Sequence, residues 1–240
     1  GSVGEDIVLV KYNSSGTKQW TKQFGTSLHD TANGVAVDSS NNLYISGFDN
    51  GTNLFLGKYN SSGTEQWEVR IGGTASYGYG VTVDSSNNIY FTGSTSSSPN
   101  TLHGNSNAGG SDIILLKYNS SGIRQWTKQM GSSGTDTGFK ITVDNSSNIY
   151  VTGYTDGDLD SNTNSGGQYD GFITKFNSSG TKQWTKLIGT SAYESGTGVV
   201  VDSSDNIYVG GSTFGDLDGN TNSGGYDIFL IKYNSDGVLQ

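Results

Sequence analysis

The segment from Asp216 to Asp227 carries the side-chain pattern in this sequence that comes nearest to metal chemistry. Oxygen ligands stand at positions 1, 3, 5, 7 and 12 of the segment: Asp216, Asp218, Asn220, Asn222 and Asp227. This is the ligand spacing of an EF-hand calcium loop, and Ca²⁺ prefers hard oxygen ligands. Position 6 is Thr where that loop has Gly, and position 12 is Asp where it has Glu. Calcium is therefore the only cofactor that the sequence predicts.

A second segment repeats the pattern about one repeat earlier. It offers four ligands at the same alternate positions and places Asp170 one residue later than the match requires: Asp158, Asp160, Asn162 and Asn164. The alternative interpretation is a structural loop in which Leu159 or Leu217 is buried and the Asp and Asn side chains hydrogen-bond the backbone. The sequence leaves both interpretations open.

Three further acids stand five residues after a glycine: Asp30 after Gly25, Asp136 after Gly131, and Glu194 after Gly189. In the remaining repeat, Tyr77 takes that place. Acids that recur in this way could form a ring on one face of a repeat protein and hold a cation or a basic ligand group. The interpretation that we favour from sequence alone is that they are solvated loop acids, which keep the protein soluble.

Residues for catalysis are few. His29 and His103 are the only histidines, and His29 adjoins Asp30, but neighbouring residues of an extended chain point apart. The serines lie in turn-like contexts and not in a nucleophile elbow. The chain has no cysteine, which excludes thiolate chemistry, disulfides and cysteine-ligated zinc. We therefore expect a protein that is not an enzyme.

Composition limits the partners as well. The net charge is −9, from 13 basic and 22 acidic residues, and no basic cluster is present that would bind phosphates. No apolar run approaches the roughly 20 residues that span a bilayer. We expect neither nucleic acid binding nor membrane insertion. With 37 Gly, 14 Tyr and 9 Phe but one Pro, the sequence favours short strands joined by tight turns.

Internal repeats determine the expected architecture. The phrase Lys-Tyr-Asn-Ser-Ser-Gly, with small variations, begins at Lys11, Lys58, Lys117, Lys175 and Lys232. Gln-Trp follows the first four copies, and a Val-Asp motif with an aliphatic-Tyr pair precedes the last four. Each complete unit predicts four strands, which in the third unit are 140–144, 149–154, 171–177 and 181–187. The Asn-Ser-Ser-Gly and Asp-Ser-Ser-Asn-Asn phrases predict tight turns with a positive φ near their end.

Such four-stranded units have apolar residues on both faces and must be covered on both sides. We therefore predict an all-β fold, a β-propeller of four-stranded antiparallel blades within a single domain, residues 1–240. The expected units are about 1–24 (partial), 34–71, 80–130, 140–188 and 198–240 (partial), which amount to four blades and one spare strand. The chain could close its ring alone or pair with a second copy as an eight-bladed homodimer, and unpaired edge strands favour this self-association.

These phrases resemble the bacterial SBBP family, the seven-bladed β-propeller repeat. The stretches that carry the resemblance are 198–202, 206–209, 217–227 and 229–233, and they recur along the chain. The resemblance implies a propeller in a bacterial protein that is extracellular or displayed on the cell surface, with a targeting segment outside these residues. It implies no general catalytic motif.

The function that the sequence predicts is a non-enzymatic scaffold that presents loops to a protein partner. A glycan-binding module that could depend on calcium is the alternative, because the four tryptophans could stack on sugars: Trp20, Trp67, Trp126 and Trp184. We favour packing between outer strands for these rings, since large aromatic residues usually serve burial. The similarity among the repeats is also typical of recent duplication, a consensus-like design or an excised fragment.

Overall fold

The computed structural model describes residues 4–49, 53–71, 76–96 and 101–240, and within these ranges the chain forms nineteen strands and no helix. The strands are β1 Ile7–Tyr12, β2 Lys18–Phe24, β3 Thr31–Val37, β4 Leu43–Asp49, β5 Asn53–Tyr59, β6 Glu65–Ile71, β7 Ser76–Val83, β8 Ile89–Thr95, β9 Thr101–Leu102, β10 Asn105–Ser106, β11 Asp112–Tyr118, β12 Arg124–Met130, β13 Asp136–Val143, β14 Ile149–Thr155, β15 Asp170–Phe176, β16 Lys182–Ile188, β17 Glu194–Val201, β18 Ile207–Thr213 and β19 Asp227–Tyr233. None of the described residues belongs to a helix long and apolar enough to cross a membrane.

The strands pair as antiparallel blades, which confirms the predicted β-propeller fold. Blade 1 is β3-β4-β5-β6, blade 2 is β7-β8-β11-β12, and blade 3 is β13-β14-β15-β16. We name the four strands of a blade A to D in this order. The chain begins with a C and a D strand, β1 and β2, and ends with an A, a B and a C strand, β17 to β19. The short β9-β10 hairpin was not predicted and lies in the B-to-C loop of blade 2.

The A strands start earlier than the sequence predicts. In blade 3 the predicted strand 140–144 is in fact Asp136–Val143, and its register shifts between Gly138 and Lys140. The same shift occurs in the other A strands of the chain. A bulge interrupts the alternation of inward and outward side chains, so the pattern used for prediction recognised only the second half of each strand.

Both predicted turns are present, and they lie at one end of every blade, which we call the turn end. In the C-to-D turn of blade 2, Asn119 Oδ1 accepts hydrogen bonds from the backbone N–H of Ser121 and Ile123 at 3.1 and 2.9 Å. Gly122 closes this turn with φ of 77°, a conformation that favours glycine. The D-to-A and B-to-C connections lie at the opposite end, the loop end.

The A-to-B turn is organised by one carboxylate. In blade 2, Asp84 Oδ1 accepts from the N–H of Ser86 and Asn88, while Oδ2 accepts from Asn88 Nδ2 and from the Tyr90 hydroxyl at 3.0 Å. Burial favours the neutral acid, but these hydrogen bonds outweigh it and lower the pKa of Asp84. The repeated Val-Asp and aliphatic-Tyr motifs are therefore the two halves of one hydrogen-bonded turn.

The hydrophobic core lies between neighbouring blades. In β11, Ile113 and Leu115 pack against blade 3, in a cluster that includes Ile141. The alternate residues Ile114 and Leu116 pack against blade 1. Each C strand between two blades thus contributes to two junctions, which explains why the strands are apolar on both faces.

The terminal strands do not complete one another's sheets. Among the described strands, β2 pairs only with β1, and β19 pairs only with β18. At its free edge β19 meets the last residues of the chain, where Leu239 lies opposite Tyr233. A ring closed within one chain by pairing of β2 with β19, one of the arrangements that the sequence allows, is therefore not formed by the described strands.

Candidate functional site

The residues of the repeated Lys-Tyr-Asn-Ser-Ser-Gly and Gln-Trp phrases form a contact between blades, at their turn ends. The ammonium of Lys58 and the indole N–H of Trp67, both in blade 1, donate to the carbonyl oxygen of Ser120 in blade 2, at 3.0 and 3.2 Å. Lys58 also lies 5.5 Å from the ring centre of Tyr44, in a cation–π contact. We call this arrangement the latch.

The lysine bond of the latch recurs at every junction of the described chain. Lysine donors reach the serine carbonyl of the following turn as Lys11 to Ser61, Lys117 to Ser178 and Lys175 to Ser235. Each tryptophan also covers the glycine of that turn. A methyl group added to Gly122 would lie 2.9 Å from the Trp67 ring, so only glycine fits there without movement. These contacts support the packing interpretation of the tryptophans over sugar stacking.

The three acids that follow glycines are buried, so the interpretation as solvated loop acids is wrong. Asp30, Asp136 and Glu194 are at most 4% exposed. Each carboxylate accepts a hydrogen bond from a backbone N–H four residues earlier, as Asp136 does from Ser132 at 2.6 Å. The position equivalent to Asp136 in blade 2 is Ser76 and not Tyr77, because both Ser76 and Asp136 start an A strand opposite a threonine.

Each of these acids has a carboxylate neighbour from the start of the preceding C strand. Burial raises the pKa of Asp136, hydrogen bonds from the backbone and hydroxyl of Ser132 oppose this effect, and the charge of Asp112 adds to it. The pKa of Asp170 is likewise raised by burial, with a contribution from Glu194. Such carboxyl pairs shape the D-to-A loop. Among the described residues, no group of three or more His, Cys, Asp or Glu side chains could hold a metal ion.

The predicted calcium segment forms the B-to-C loop of blade 4, the partial blade of β17 to β19. Asp216 Oδ1 accepts from the N–H of Asn222 at 2.7 Å, and Asp227 Oδ2 accepts from the N–H of Ser223 at 2.5 Å. Leu217 is buried beneath the loop, as the structural interpretation expects. The Asn220 amide donates to the carbonyl of Leu217 and not towards the other ligands.

The equivalent loop of blade 3 separates its predicted ligands. Asp158 accepts from the N–H of Asn164 at 2.8 Å, which repeats the pair in blade 4. Asp160 instead forms an ion pair with Lys182 and accepts from the Thr185 hydroxyl. Asn162 donates its amide to the carbonyls of Leu159 and Asp160. The structure thus brings together the first and fourth predicted ligands in both loops, and calcium binding stays a prediction.

Neither histidine has a catalytic arrangement. His29 Nδ1 lies 3.8 Å from a carboxylate oxygen of Glu5, and the neighbouring Asp30 is engaged with the backbone of the D-to-A loop. His103 Nδ1 lies 3.0 Å from the Thr127 hydroxyl. Within the described ranges, no hydroxyl nucleophile, histidine and carboxylate come together.

Sequence reasoning missed a band of aromatic side chains at the loop end. Nine rings touch in an unbroken series, with neighbouring centroids 3.8 to 6.4 Å apart. The series crosses four blades: Phe48, Tyr77, Tyr79, Phe139, Tyr154, Tyr169, Tyr193, Phe214 and Tyr226. Most contacts are edge-to-face, the geometry that aromatic pairs prefer. The first seven rings are half-buried, and the last two are exposed. We call this surface the aromatic band.

Comparison with known proteins agrees with this architecture. The repeat described as SBBP, beta-propeller repeat, matches residues 19–55, 66–99, 125–160 and 183–218, which is more than half of the chain. The chain belongs to the SBBP β-propeller repeat family. The resemblance that the repeated phrases predict is thereby confirmed, and each match begins in a Gln-Trp strand and includes the A and B strands of the next blade.

Among curated proteins, this SBBP chain is similar to the regulatory protein FlaEY of Caulobacter vibrioides, with 28% identity over 146 residues. That alignment covers 57% of this chain and 15% of FlaEY. The SBBP chain therefore spans a small part of the curated relative that it matches.

Solved structures share the fold at low identity. A protein of unknown function from Bacteroides caccae has a TM-score of 0.53 at 9% identity, covering 98% of this chain and 92% of its own. The gluconolactonase XC5397 from Xanthomonas campestris has a TM-score of 0.53 at 15% identity, covering 96% and 66%. At these identities the likeness concerns the fold of the SBBP chain alone.

Proposed function

We propose that this chain is a non-catalytic binding scaffold whose aromatic band contacts a segment of a partner protein. The observation that carries the proposal is the continuity of the band, since nine rings in contact cross four blades at one end of the molecule. Tyrosine and phenylalanine supply large, rigid contact area in protein recognition, and tyrosine adds a polar group. A propeller fixes such rings on packed strands, so little ordering is needed on binding.

Two observations support a role without catalysis. The buried carboxylates of the loop end accept hydrogen bonds from their own loops, as Asp136 does from Ser132, and this leaves them structural. Within the described ranges, His29 contacts the Glu5 carboxylate and His103 contacts the Thr127 hydroxyl, so neither histidine links a hydroxyl to a carboxylate. The net charge of −9 favours a partner segment that is neutral or basic.

A glycan is the second candidate ligand, and one local arrangement favours it. Tyr226 and Phe214 contact each other at 3.8 Å between centroids and are 61% and 42% exposed, so a large part of this aromatic pair is accessible to a sugar. The predicted calcium segment ends at Asp227, the residue after Tyr226. A calcium-dependent glycan site would therefore lie at the blade 4 end of the aromatic band.

The test is a parallel screen of the purified chain against a displayed library of random linear peptides and against a glycan array. Binders are re-measured with Tyr154→Ala, in the middle of the band, and with Ile123→Ala, an exposed residue of a C-to-D turn at the opposite end. Peptide binding that falls at least about tenfold in Tyr154→Ala but not in Ile123→Ala supports the proposal, since anchor residues carry most interface energy.

The same screen distinguishes the candidates. Glycan binding that vanishes with EDTA and weakens in Tyr226→Ala favours the second candidate. Binders that are indifferent to both band substitutions would show that the band is only a packing feature, and the proposal would then be wrong.

A further inference from the structure

The two ends of the blade series expose apolar faces that are covered everywhere else. At the start of the chain, Val8 and Tyr12 of β1 are 56% and 57% exposed, and Val10 lies between them on the same side of the strand. At the other end, Ile228 and Leu230 of β19 are 92% and 73% exposed. We call the β1 surface the head face and the β19 surface the tail face. Contiguous apolar surface of this kind marks an interaction site.

The internal blades show what normally covers these positions. Strand register makes Ile113 and Leu115 the counterparts of Ile228 and Leu230, and both are 2% exposed because blade 3 packs on them. The counterparts of the head face are Ile114, Leu116 and Tyr118, which blade 1 buries. The tail face is thus the first half of a blade junction, and the head face is the C-strand part of the second half; at the internal junction, A- and B-strand residues such as Ile141 and Val151 contribute as well.

The polar part of the junction is also divided between the two ends. Lys232 lies over the Tyr208 ring at 5.6 Å, as the other latch lysines lie over their tyrosines. Within the described part of the chain, its ammonium donates to no carbonyl of a following turn. The turn at Asn13–Gly16 has the acceptor carbonyl at Ser14, and no atom lies within 4 Å of a methyl group built on Gly16. The glycines of the later turns face a tryptophan ring there.

The tail face borders an open groove of about 630 Å³ that is lined by Leu217, Tyr226, Ile228 and Leu230. At the internal junctions, the surface that packs on the residues equivalent to the tail face belongs to the next blade of the chain. The half-blade of β1 and β2, which carries the head face, is present in every copy of this protein.

We infer that the tail face of one copy binds the head face of a second copy, and that this contact continues the stack of blades from chain to chain. Ile228 and Leu230 pack between Val8, Val10 and Tyr12, and Lys232 donates to the carbonyl of Ser14. No strand has to open, because both faces are already exposed. Because the contact joins two different surfaces, it is heterologous. An assembly built from it can close only as a ring, and the smallest such ring contains two copies.

The test is light scattering on a sizing column across a wide range of concentration, with one charged variant for each face. Leu230→Asp alters the tail, Val8→Asp alters the head, and Ile123→Asp is the control, at a turn residue that is also exposed. Wild type and Ile123→Asp are expected to exceed the 25.3 kDa of one chain. Each face variant alone is expected to remain at the mass of one chain, with association weakened at least about 100-fold, since a buried unpaired charge is costly.

The decisive sample is an equal mixture of the two face variants. Each keeps one intact face, so the mixture is expected to give a dimer of one copy of each and nothing larger. Lys232→Met is expected to weaken wild-type association by about tenfold through loss of the hydrogen bond to Ser14. A wild-type chain of 25.3 kDa at every concentration would overturn the inference. So would a mixture that stays monomeric, or a Val8→Asp variant that still dimerises through paired tail faces.

Discussion

Two buried tyrosines offer a test of how the repeated turn stabilises each blade. Tyr90 is fully buried, and its hydroxyl donates to Asp84 Oδ2 at 3.0 Å. Tyr59 is also buried, but its hydroxyl has no hydrogen-bond partner among the described residues. Replacing each by phenylalanine removes one oxygen atom and keeps the ring. The two substitutions therefore separate the hydrogen bond from the packing of the side chain.

We expect Tyr90→Phe to lower the free energy of unfolding by about 2 kcal/mol, because a hydrogen bond to a charged group contributes roughly 1.5–3 kcal/mol. The expected loss of unfolding free energy lies in the lower part of that range, because in Tyr90→Phe the Asp84 Oδ2 atom keeps its hydrogen bond from Asn88 at 2.9 Å. We expect Tyr59→Phe to leave stability unchanged or to raise it by up to about 1 kcal/mol, because it removes a buried hydroxyl without a partner. Blade 3 already has Phe176 at that strand position.

The assay is urea unfolding of both variants, followed by far-ultraviolet circular dichroism, with the midpoints compared at equal slopes. If the dependence of the unfolding free energy on urea concentration changes in a variant, the blades no longer unfold together. The midpoint of the first transition would then be compared. Equal losses in the two variants would refute the reasoning, since they would show that the hydroxyl of Tyr90 contributes no more than that of Tyr59.

Three further predictions concern other parts of the chain. Asp136→Asn is expected to raise the free energy of unfolding at pH 7 by up to about 1 kcal/mol. Burial raises the pKa of Asp136 in the folded state, so the wild type loses stability as the pH rises through that folded-state pKa, while the neutral variant does not. Urea unfolding should therefore show the two proteins converging in stability below the usual aspartate pKa of 3.8. Lys117→Met removes a hydrogen bond of 3.2 Å to the carbonyl of Ser178 and the cation–π contact with Tyr90. We expect the midpoint of urea unfolding to fall by an amount equivalent to about 1 kcal/mol. An unchanged midpoint would show that the latch does not stabilise the blade junction. If the segment beginning at Asp216 binds calcium, adding calcium is expected to raise the melting temperature, EDTA to reverse the rise, and Asp216→Asn to abolish it. A melting temperature that does not respond to calcium would show that the predicted site is wrong.

Much of the fold could be predicted because the repeated phrases are local. Asn119 and Gly122 define their turn within a few residues, and Asp84 reaches Tyr90 across a single hairpin. Neither arrangement depends on the neighbouring blades. The starts of the A strands were missed, because the bulge near Gly138 disturbs the alternation on which strand prediction relies.

The surroundings of the loop-end residues could not be predicted, since they depend on how blades pack. Asp136 is buried because blade 2 supplies Asp112 beside it, and nothing within the local sequence distinguishes it from a solvated loop acid. The rings of the aromatic band recur at equivalent strand positions in only some repeats, as Phe48 and Tyr154 do in B strands and Tyr79 and Phe139 do in A strands. A partial signal was the tyrosine before each C strand in the last two repeats, Tyr169 and Tyr226.

The latch has a consequence for how such chains change during evolution. Its acceptor is a main-chain carbonyl, as at Ser120, which any residue at that position would supply. Its donors, such as Lys58 and Trp67, belong wholly to the preceding blade. A blade therefore does not need to match the side chains of its neighbour's turn. Duplication, loss or exchange of whole repeats leaves every joint usable, while the loops at the opposite end remain free to diverge.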